Sequence, residues 1–430
     1  MLKSLFQTSI VSYIVLALTM LGSILIARHY GPSGQGELAA LILIPQMIIN
    51  FGDFGTSESI MYHLSNKKQS FILSRNTIFK VFAAVVGFML LLFSIYLFFF
   101  SYSKTSFIAL LGFFYIVLLF VNQTLSFIVR GHLKLKTYNF GLLILNVLNF
   151  ASIVLVIALS LSIENIFAFY LFSCMISSLY LLFKISKFEK GDCCNEYTVK
   201  DIFSYGIKVY AYKVLNSAES QFDKFMIATF LLSSQLGLYS VAVALSSLLY
   251  LFLVKPVASI ILPILNRIEN IDERQKLITL INKLIFWAGI LFGILLLFFS
   301  KQVLIYIYGE DYLPALIPLW ILLLGVILKS PMSILAYYFK SIGTPEVMVK
   351  ISIVTVALNV LAGLVFIPKY GIMAAAVIST VTYTIYSLVL SRKYIVETGK
   401  GYLNQYLFSK YELSLIVNYI ENLRFNKKQR

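Results

Sequence analysis

The chain has 430 residues, 60% of them hydrophobic and only 13% charged, with a mean hydropathy of +0.87. Soluble domains carry about a quarter of their residues as charges, so this composition excludes an ordinary soluble enzyme and reads as a polytopic membrane protein. The formal charge of +16 raises nucleic acid as a partner, but its distribution along the chain speaks for topology instead.

Windows of about 20 mostly apolar residues, the length that crosses a bilayer, fall near 5–27, 38–61, 78–100, 106–129, 139–161 and 164–185. The first runs through Ser23 and Ile26 without a small-residue cleavage motif and so reads as a membrane helix rather than a removable signal. A polar stretch around KFEKGDCCNEYTVKD follows, and then a second set near 203–231, 236–263, 280–299, 313–339, 347–367 and 371–391. The expected fold is therefore an all-α polytopic membrane bundle of about twelve transmembrane helices in two six-helix lobes. Its expected parts are an N-terminal lobe over 1–186, a cytoplasmic linker over 187–202, a C-terminal lobe over 203–391 and a tail over 392–430. In the tail Leu403, Leu407, Leu413, Ile416, Val417 and Ile420 stand near helical spacing, as in an amphipathic helix on the inner membrane surface; a solvated tail fits equally.

With the N-terminus inside, the outer loops hold only Arg28, Lys104, Lys301 and Lys369, while the inner loops and tails collect most of the 35 basic residues. Positively charged loops resist translocation, so both termini are expected in the cytoplasm. The turn ARHYGPSGQGELA after the first span can be laid over ATFLLSSQLGLYS after the seventh, matching Ser33 with Ser234 and Gly36 with Gly237. An internal repeat would give that overlay, and so would two short small-residue hairpins.

The seventh span, VYAYKVLNSAESQFDKFMIATFL, is anomalous. Charges at the centre of a membrane helix cost about 2.5 to 3.5 kcal/mol each, and this one carries Lys213, Glu219, Asp223 and Lys224. At about 100° per residue, Lys208, Tyr212, Lys213, Asn216, Glu219, Ser220, Asp223 and Lys224 fill one half of the helix, with Gln221 outside it. Such a face lines a polar cavity, or else satisfies itself as an ion-pair cluster between helices. Lys255 beside Pro256 and Lys329 just before Pro331 add two intramembrane lysines to the same half; snorkelling to an interface is their alternative. The candidate cavity contacts are thus Lys208, Lys213, Asn216, Lys224, Lys255 and Lys329, with Asp53, Glu219 and Asp223 as charge partners or ion-coupling groups. The excess of lysine calls for an anionic cargo. In the first half Asn50, Glu58, Asn122, Gln123, Asn146 and Asn149 are the remaining polar core groups; those without charge suit a hydroxyl-rich ligand or hold helices together, while Glu58, like Asp53, lies toward the inner end of its helix, where capping or facing a loop is the alternative.

Other chemistry is missing from the sequence. There is no phosphate loop of the Gly-x-x-x-x-Gly-Lys-Ser/Thr type, GPSGQG at Gly31 lacks dinucleotide spacing, and His29, His63 and His132 are too scattered for a metal cluster. Cys174, Cys193 and Cys194 offer no disulfide framework. No catalytic constellation, metal or cofactor is expected.

The run ARHYGPSGQGELAALILIPQMIINFGDFGTSESIMYHL resembles the opening of polysaccharide-precursor flippases in the multidrug/oligosaccharidyl-lipid/polysaccharide exporter superfamily, whose fold is the MATE-like one. QFDKFMIATFLLSSQLGLYSVA resembles that family's charged seventh helix and hairpin, and YGIMAAAVISTVTY the start of its last common helix. The resemblance implies a transporter in a bacterial cytoplasmic membrane. It would carry an undecaprenyl-pyrophosphate-linked oligosaccharide to the outer leaflet for O-antigen or capsule synthesis, by alternating access through a cationic central cavity. It implies that Lys213, Lys224, Lys255 and Lys329 meet pyrophosphate or sugar, and that Glu219 and Asp223 couple ions or hold those lysines. Membrane lipid, a polysaccharide polymerase and a chain-length regulator are the implied partners. The first span offers only Gln7, Thr8, Ser12, Thr19 and Ser23 where related peptidoglycan-precursor flippases carry charges, which speaks against that cargo. A cation-coupled multidrug exporter and a membrane glycan polymerase remain the alternatives.

Overall fold

The computed structural model describes residues 2–65, 71–72, 75–100, 106–187, 195–196, 198–344, 346–399 and 401–409. Half of the expected linker and the tail beyond 409 therefore lie outside the described residues, as does the greater part of the expected tail helix.

The described chain is almost wholly helical. In order come α1 (Leu2–Gly52), α2 (Thr56–Ser65), α3 (Arg75–Phe100), α4 (Ser106–Gly131), α5 (Leu135–Ala158), α6 (Ile163–Ile185) and α7 (Val199–Phe230). They are followed by α8 (Ser233–Leu249), a π-turn Tyr250–Val254, α9 (Lys255–Arg267), α10 (Ile271–Val303), α11 (Leu316–Ser341) and α12 (Glu346–Thr398). The one strand pairing among the described residues joins Phe71–Ile72 to Asn195–Glu196 in parallel.

Helix α1 is two spans. Gly31 adopts φ 65°, ψ −169° inside it, a conformation open to glycine and costly for a side chain. Gln35 Nε2 donates to Ser23 Oγ at 2.9 Å, although a straight helix would hold residues twelve apart about 18 Å from each other. The chain therefore folds back at Tyr30-Gly31. Helix α12 repeats the device at Tyr370-Gly371, with φ 65° and ψ −147°, and Val354 and Ile385 from its two limbs line one groove. Nine described helices are long and apolar enough to cross a membrane; counting α1 and α12 twice and adding the charged α7 gives twelve spans, as the sequence leads one to expect. Large apolar side chains such as Phe98, Phe298 and Leu361 stand exposed on the surface, where lipid takes the place of water.

Two compact units make up the chain. The first comprises 1–238 with 307–311, and the second 239–306 with 312–430. The first is built round two apolar clusters, one with Ile49, Met89, Ile116, Phe120 and Ile202 and one with Ile26, Val156, Ile166 and Phe167. Interhelical hydrogen bonds reinforce them: Asn122 of α4 donates to Ser177 and Ser178 of α6 at 2.9 and 3.2 Å, and Asn139 of α5 to Thr8 of α1 at 3.0 Å. The second unit packs round Leu335, Tyr338, Leu390 and Tyr394. There the start of the tail is docked: a short 3₁₀ turn, Tyr402–Gln405, brings Gln405 to Ser391 (2.8 Å) and to Asn282 (2.9 Å), and Trp287 Nε1 donates to the Tyr406 carbonyl at 2.8 Å.

Within the first unit, the two glycines of the sequence overlay meet. A Cβ on Gly36 would lie 1.6 Å from the Ser233 carbonyl oxygen, and one on Gly237 would lie 2.0 Å from that of Pro32. The overlay pairs Gly36 with Gly237 and Pro32 with Ser233, so the two approaches are the same contact seen from its two sides. That reciprocity is what an internal repeat produces and what unrelated hairpins have no reason to show.

Candidate functional site

The second limb of α1 ends at Gly52, and the chain turns through Asp53, Phe54 and Gly55 before α2 begins. Phe54 and Gly55 both have positive φ, 49° and 70°. A break at this depth exposes backbone groups that lipid has no means to satisfy. Asp53 satisfies them: it is fully buried, and its Oδ1 accepts from the Thr56 hydroxyl at 2.5 Å and from the Ser57 amide and hydroxyl at 3.2 Å. Ser57 in turn meets Thr124 of α4 at 3.4 Å.

Helix α7 crosses this break. Thr198 and Asp201 form a reciprocal capping box at its start, and Gly206 lets its backbone touch the turn, since a Cβ on Gly55 would be 2.3 Å from the Gly206 carbonyl oxygen. One turn further on, Tyr210 donates to the Phe51 carbonyl at 2.5 Å and its ring lies 5.4 Å from that of Phe54. Lys213 Nζ is then held between Asp53 Oδ2 and Glu58 Oε1, the latter at 3.2 Å. Ser217, a turn beyond, accepts from Asn50 at 2.9 Å. The polar face of α7 is thus answered by α1, α2 and the turn between them along about three turns. As ionised groups, Asp53, Glu58 and Lys213 leave one net negative charge.

The remaining expected site residues are distributed as follows. Asp223 is buried and its Oδ1 accepts from the Lys224 amide at 2.7 Å, while Glu219 and Lys224 are partly buried on the same helix. Lys208 and Asn216 lie on α7, with side chains outside the described part of the structure. In the second unit, Lys255 is exposed where the π-turn passes into α9. Lys329 on α11 lies over the Tyr383 ring at 4.0 Å and near that of Tyr386 at 5.8 Å, an arrangement that holds a cation by the ring face. The structure therefore brings together Asp53 and Lys213 with Glu58, and the seventh span's own charges Glu219, Asp223 and Lys224. Thr56, Ser57, Tyr210 and Ser217 belong to the first group and do not stand out in the sequence. The run Asp53-Phe-Gly-Thr-Ser57, an acid followed by glycine and two hydroxyls, is nevertheless the signature of a helix start.

Residues 24–285, which contain the whole Asp53–Glu58–Lys213 cluster, match the family described as polysaccharide biosynthesis protein. The chain belongs to that family. Among its curated relatives is the probable low-salt glycan biosynthesis flippase of Haloferax volcanii, 26% identical over 205 residues; the match takes in 46% of this chain and 42% of that relative's length. The polysaccharide biosynthesis protein also shares its fold with solved transporters. The lipid II flippase MurJ in an inward closed conformation superposes with a TM-score of 0.72 at 16% identity, covering 97% of this chain and 93% of that one. An inward-facing multidrug resistance MATE family transporter of the MOP superfamily gives 0.66 at 14%, with 90% and 96% covered. The all-α membrane fold expected from the sequence, with its MATE-like character, is the one observed.

Proposed function

We propose that this polysaccharide biosynthesis protein is a flippase for a lipid-linked oligosaccharide, moving an undecaprenyl-pyrophosphate-bound repeat unit from the cytoplasmic to the outer leaflet for surface polysaccharide assembly, whether O-antigen or capsule. Family membership restricts the reading to glycan assembly, and the relative named as a flippase and the fold shared with MurJ favour transport over polymerisation. The observation that carries it is α7, a helix in the series of membrane spans that keeps a charged and hydroxylated face. Hydroxyl and ammonium groups suit sugars and pyrophosphate; a hydrolytic or polymerising enzyme would need acids poised over an open site. In this reading Lys208, Asn216, Lys224, Lys255 and Lys329 contact the cargo, while Asp53 and Glu58 hold Lys213, and Glu219 and Asp223 set the charge of the same face. The motion is alternating access. The membrane is the bacterial cytoplasmic one, with both termini inside, and polymerase and chain-length regulator act on the product.

The net negative charge of the Asp53–Glu58–Lys213 cluster favours a second reading, a cation-coupled exporter. One experiment separates the two. Proteoliposomes receive a fluorescent polyprenyl-pyrophosphate oligosaccharide, and outer-leaflet exposure is followed by an impermeant lectin or quencher. Protein-dependent exposure that drops on Lys224→Ala and Lys329→Ala, with unchanged protein level, supports the flippase. Extrusion of a cationic dye without movement of the glycolipid supports the exporter, and glycan elongation without movement supports a polymerase.

A further inference from the structure

The two limbs of α12 enclose a groove of about 300 Å³ that no part of the proposed transport path uses. Val354 and Thr355 on the first limb face Ile385 and Val389 on the second, and Lys350 and Lys393 complete the lining. The order along the limbs is informative. Lys350 lies one turn from the start of the first limb, and Lys393 lies near the end of the second. Since the chain folds back at Gly371, these are the limbs' free ends, so both lysines stand at the membrane-surface end and the aliphatic residues lie deeper.

Both lysines are exposed, and among the described residues neither is in an ion pair. Glu346 and Glu397 stand four positions from them on the same limbs, the spacing at which helical pairs can form, yet neither of these pairs closes. Thr355, by contrast, is turned to its own helix, with its hydroxyl donating to the Ser352 carbonyl at 3.2 Å. The groove thus has an apolar floor without free polar groups and a doubly positive mouth. The mouth faces the side on which Lys340 and Arg392 also lie, the side that the positive-inside rule gives to the cytoplasm.

We infer that this groove seats an anionic phospholipid of that leaflet, one acyl chain between the limbs of α12 and the headgroup phosphate between Lys350 and Lys393. Charge complementarity selects the occupant: basic pockets between membrane helices on this side attract anionic headgroups, and a neutral lipid would fill the apolar floor but leave the two ammonium groups unanswered. The volume, at the small end of ligand cavities, takes part of one chain and not a whole polyprenyl substrate.

The test uses the full chain purified in detergent, delipidated, and titrated with dioleoylphosphatidylglycerol while bound lipid is counted by native mass spectrometry. One dominant adduct is expected for the native protein. Its apparent affinity is expected to fall about tenfold or more in Lys350→Ala/Lys393→Ala, where two surface charges are lost, and in Val389→Trp, which fills the floor and keeps both lysines. Dioleoylphosphatidylcholine should bind the native protein no better than phosphatidylglycerol binds the double variant. Equal binding of the two lipids, unchanged phosphatidylglycerol binding in either variant, or displacement of the adduct by inorganic phosphate would each overturn the proposal. Preferential displacement by undecaprenyl phosphate would also overturn it, by handing the groove to the transport substrate. Both variants alter exposed or lipid-facing positions; a thermal unfolding midpoint matching the native one in detergent alone confirms that loss of the adduct reports the site.

Discussion

Lys213 is the residue on which the first unit's polar interior turns. Its ammonium answers a fully buried Asp53 and a partly buried Glu58, and removing one partner of such a group leaves an uncompensated charge. Lys213→Ala is expected to cost about 3 to 5 kcal/mol, seen as a lowered unfolding midpoint in detergent. Adding Asp53→Asn should restore a large part, because the orphaned charge goes with it. A loss unchanged by the second substitution would show that the lysine acts through packing instead. Asp201, outside the membrane, gives a pH handle. The Thr198 amide and hydroxyl hold its carboxyl below the ordinary 3.8, so the capping box stabilises the start of α7 above that pH and is lost as pH falls through the lower folded value. Protection of the amides at 199–203, taken relative to their intrinsic exchange rates, should fall on acidification below about pH 4 in the native protein. In Asp201→Asn it should be low throughout.

Among the elements, α1 and α8 are joined by close backbone contact. A methyl group at Gly36 or Gly237 would sit within 2.0 Å of a carbonyl oxygen, so Gly36→Ala and Gly237→Ala should each force the hairpins apart and sharply reduce the yield of folded protein. Gly87 on α3 is the control: an added Cβ there meets nothing within 4 Å, and alanine should be neutral or stabilising by about 0.5 to 1 kcal/mol. A Gly36→Ala protein as stable as native would remove the close contact from the account. At the other end of the chain, Gln405 is 1% exposed and bonded to Ser391, both through its side chain and back to the helix. Truncating it to alanine leaves the Ser391 hydroxyl and carbonyl to find new partners and should cost about 1 to 3 kcal/mol, measurable as faster proteolysis of the tail beside a lower unfolding midpoint. These contacts were only half legible: the small residues and the tail's apolar pattern can be read directly, but not which backbone each glycine touches.

For the whole molecule, the distribution of lysine and arginine makes a prediction independent of cargo. The short turn at Leu133 should face the cytoplasm and that at Ser160 the outside. With Cys174, Cys193 and Cys194 replaced by serine, a cysteine at 133 should react with an impermeant maleimide in inverted vesicles and one at 160 in intact cells. The reverse labelling would invert the molecule and, with it, the leaflet assigned to the α12 groove. Leu133 and Ser160 both have positive φ, 56° and 52°, in turns too short to be hidden, so each reports a side unambiguously.

The sequence by itself determined the class of fold, because apolar stretches long enough to cross a bilayer leave the backbone no choice but helix. It determined also that the seventh span is out of place among them, because charge in that setting carries a cost that composition alone exposes. The partners were settled only in three dimensions. Lys213 lies 160 positions from Asp53, and nothing in helical periodicity says which of several polar faces will meet. The same holds for Lys329 against Tyr383 and for Gly36 against Gly237. Local sequence sets which face of a helix is polar or small; the packing of helices distant in the chain decides what that face is answered by.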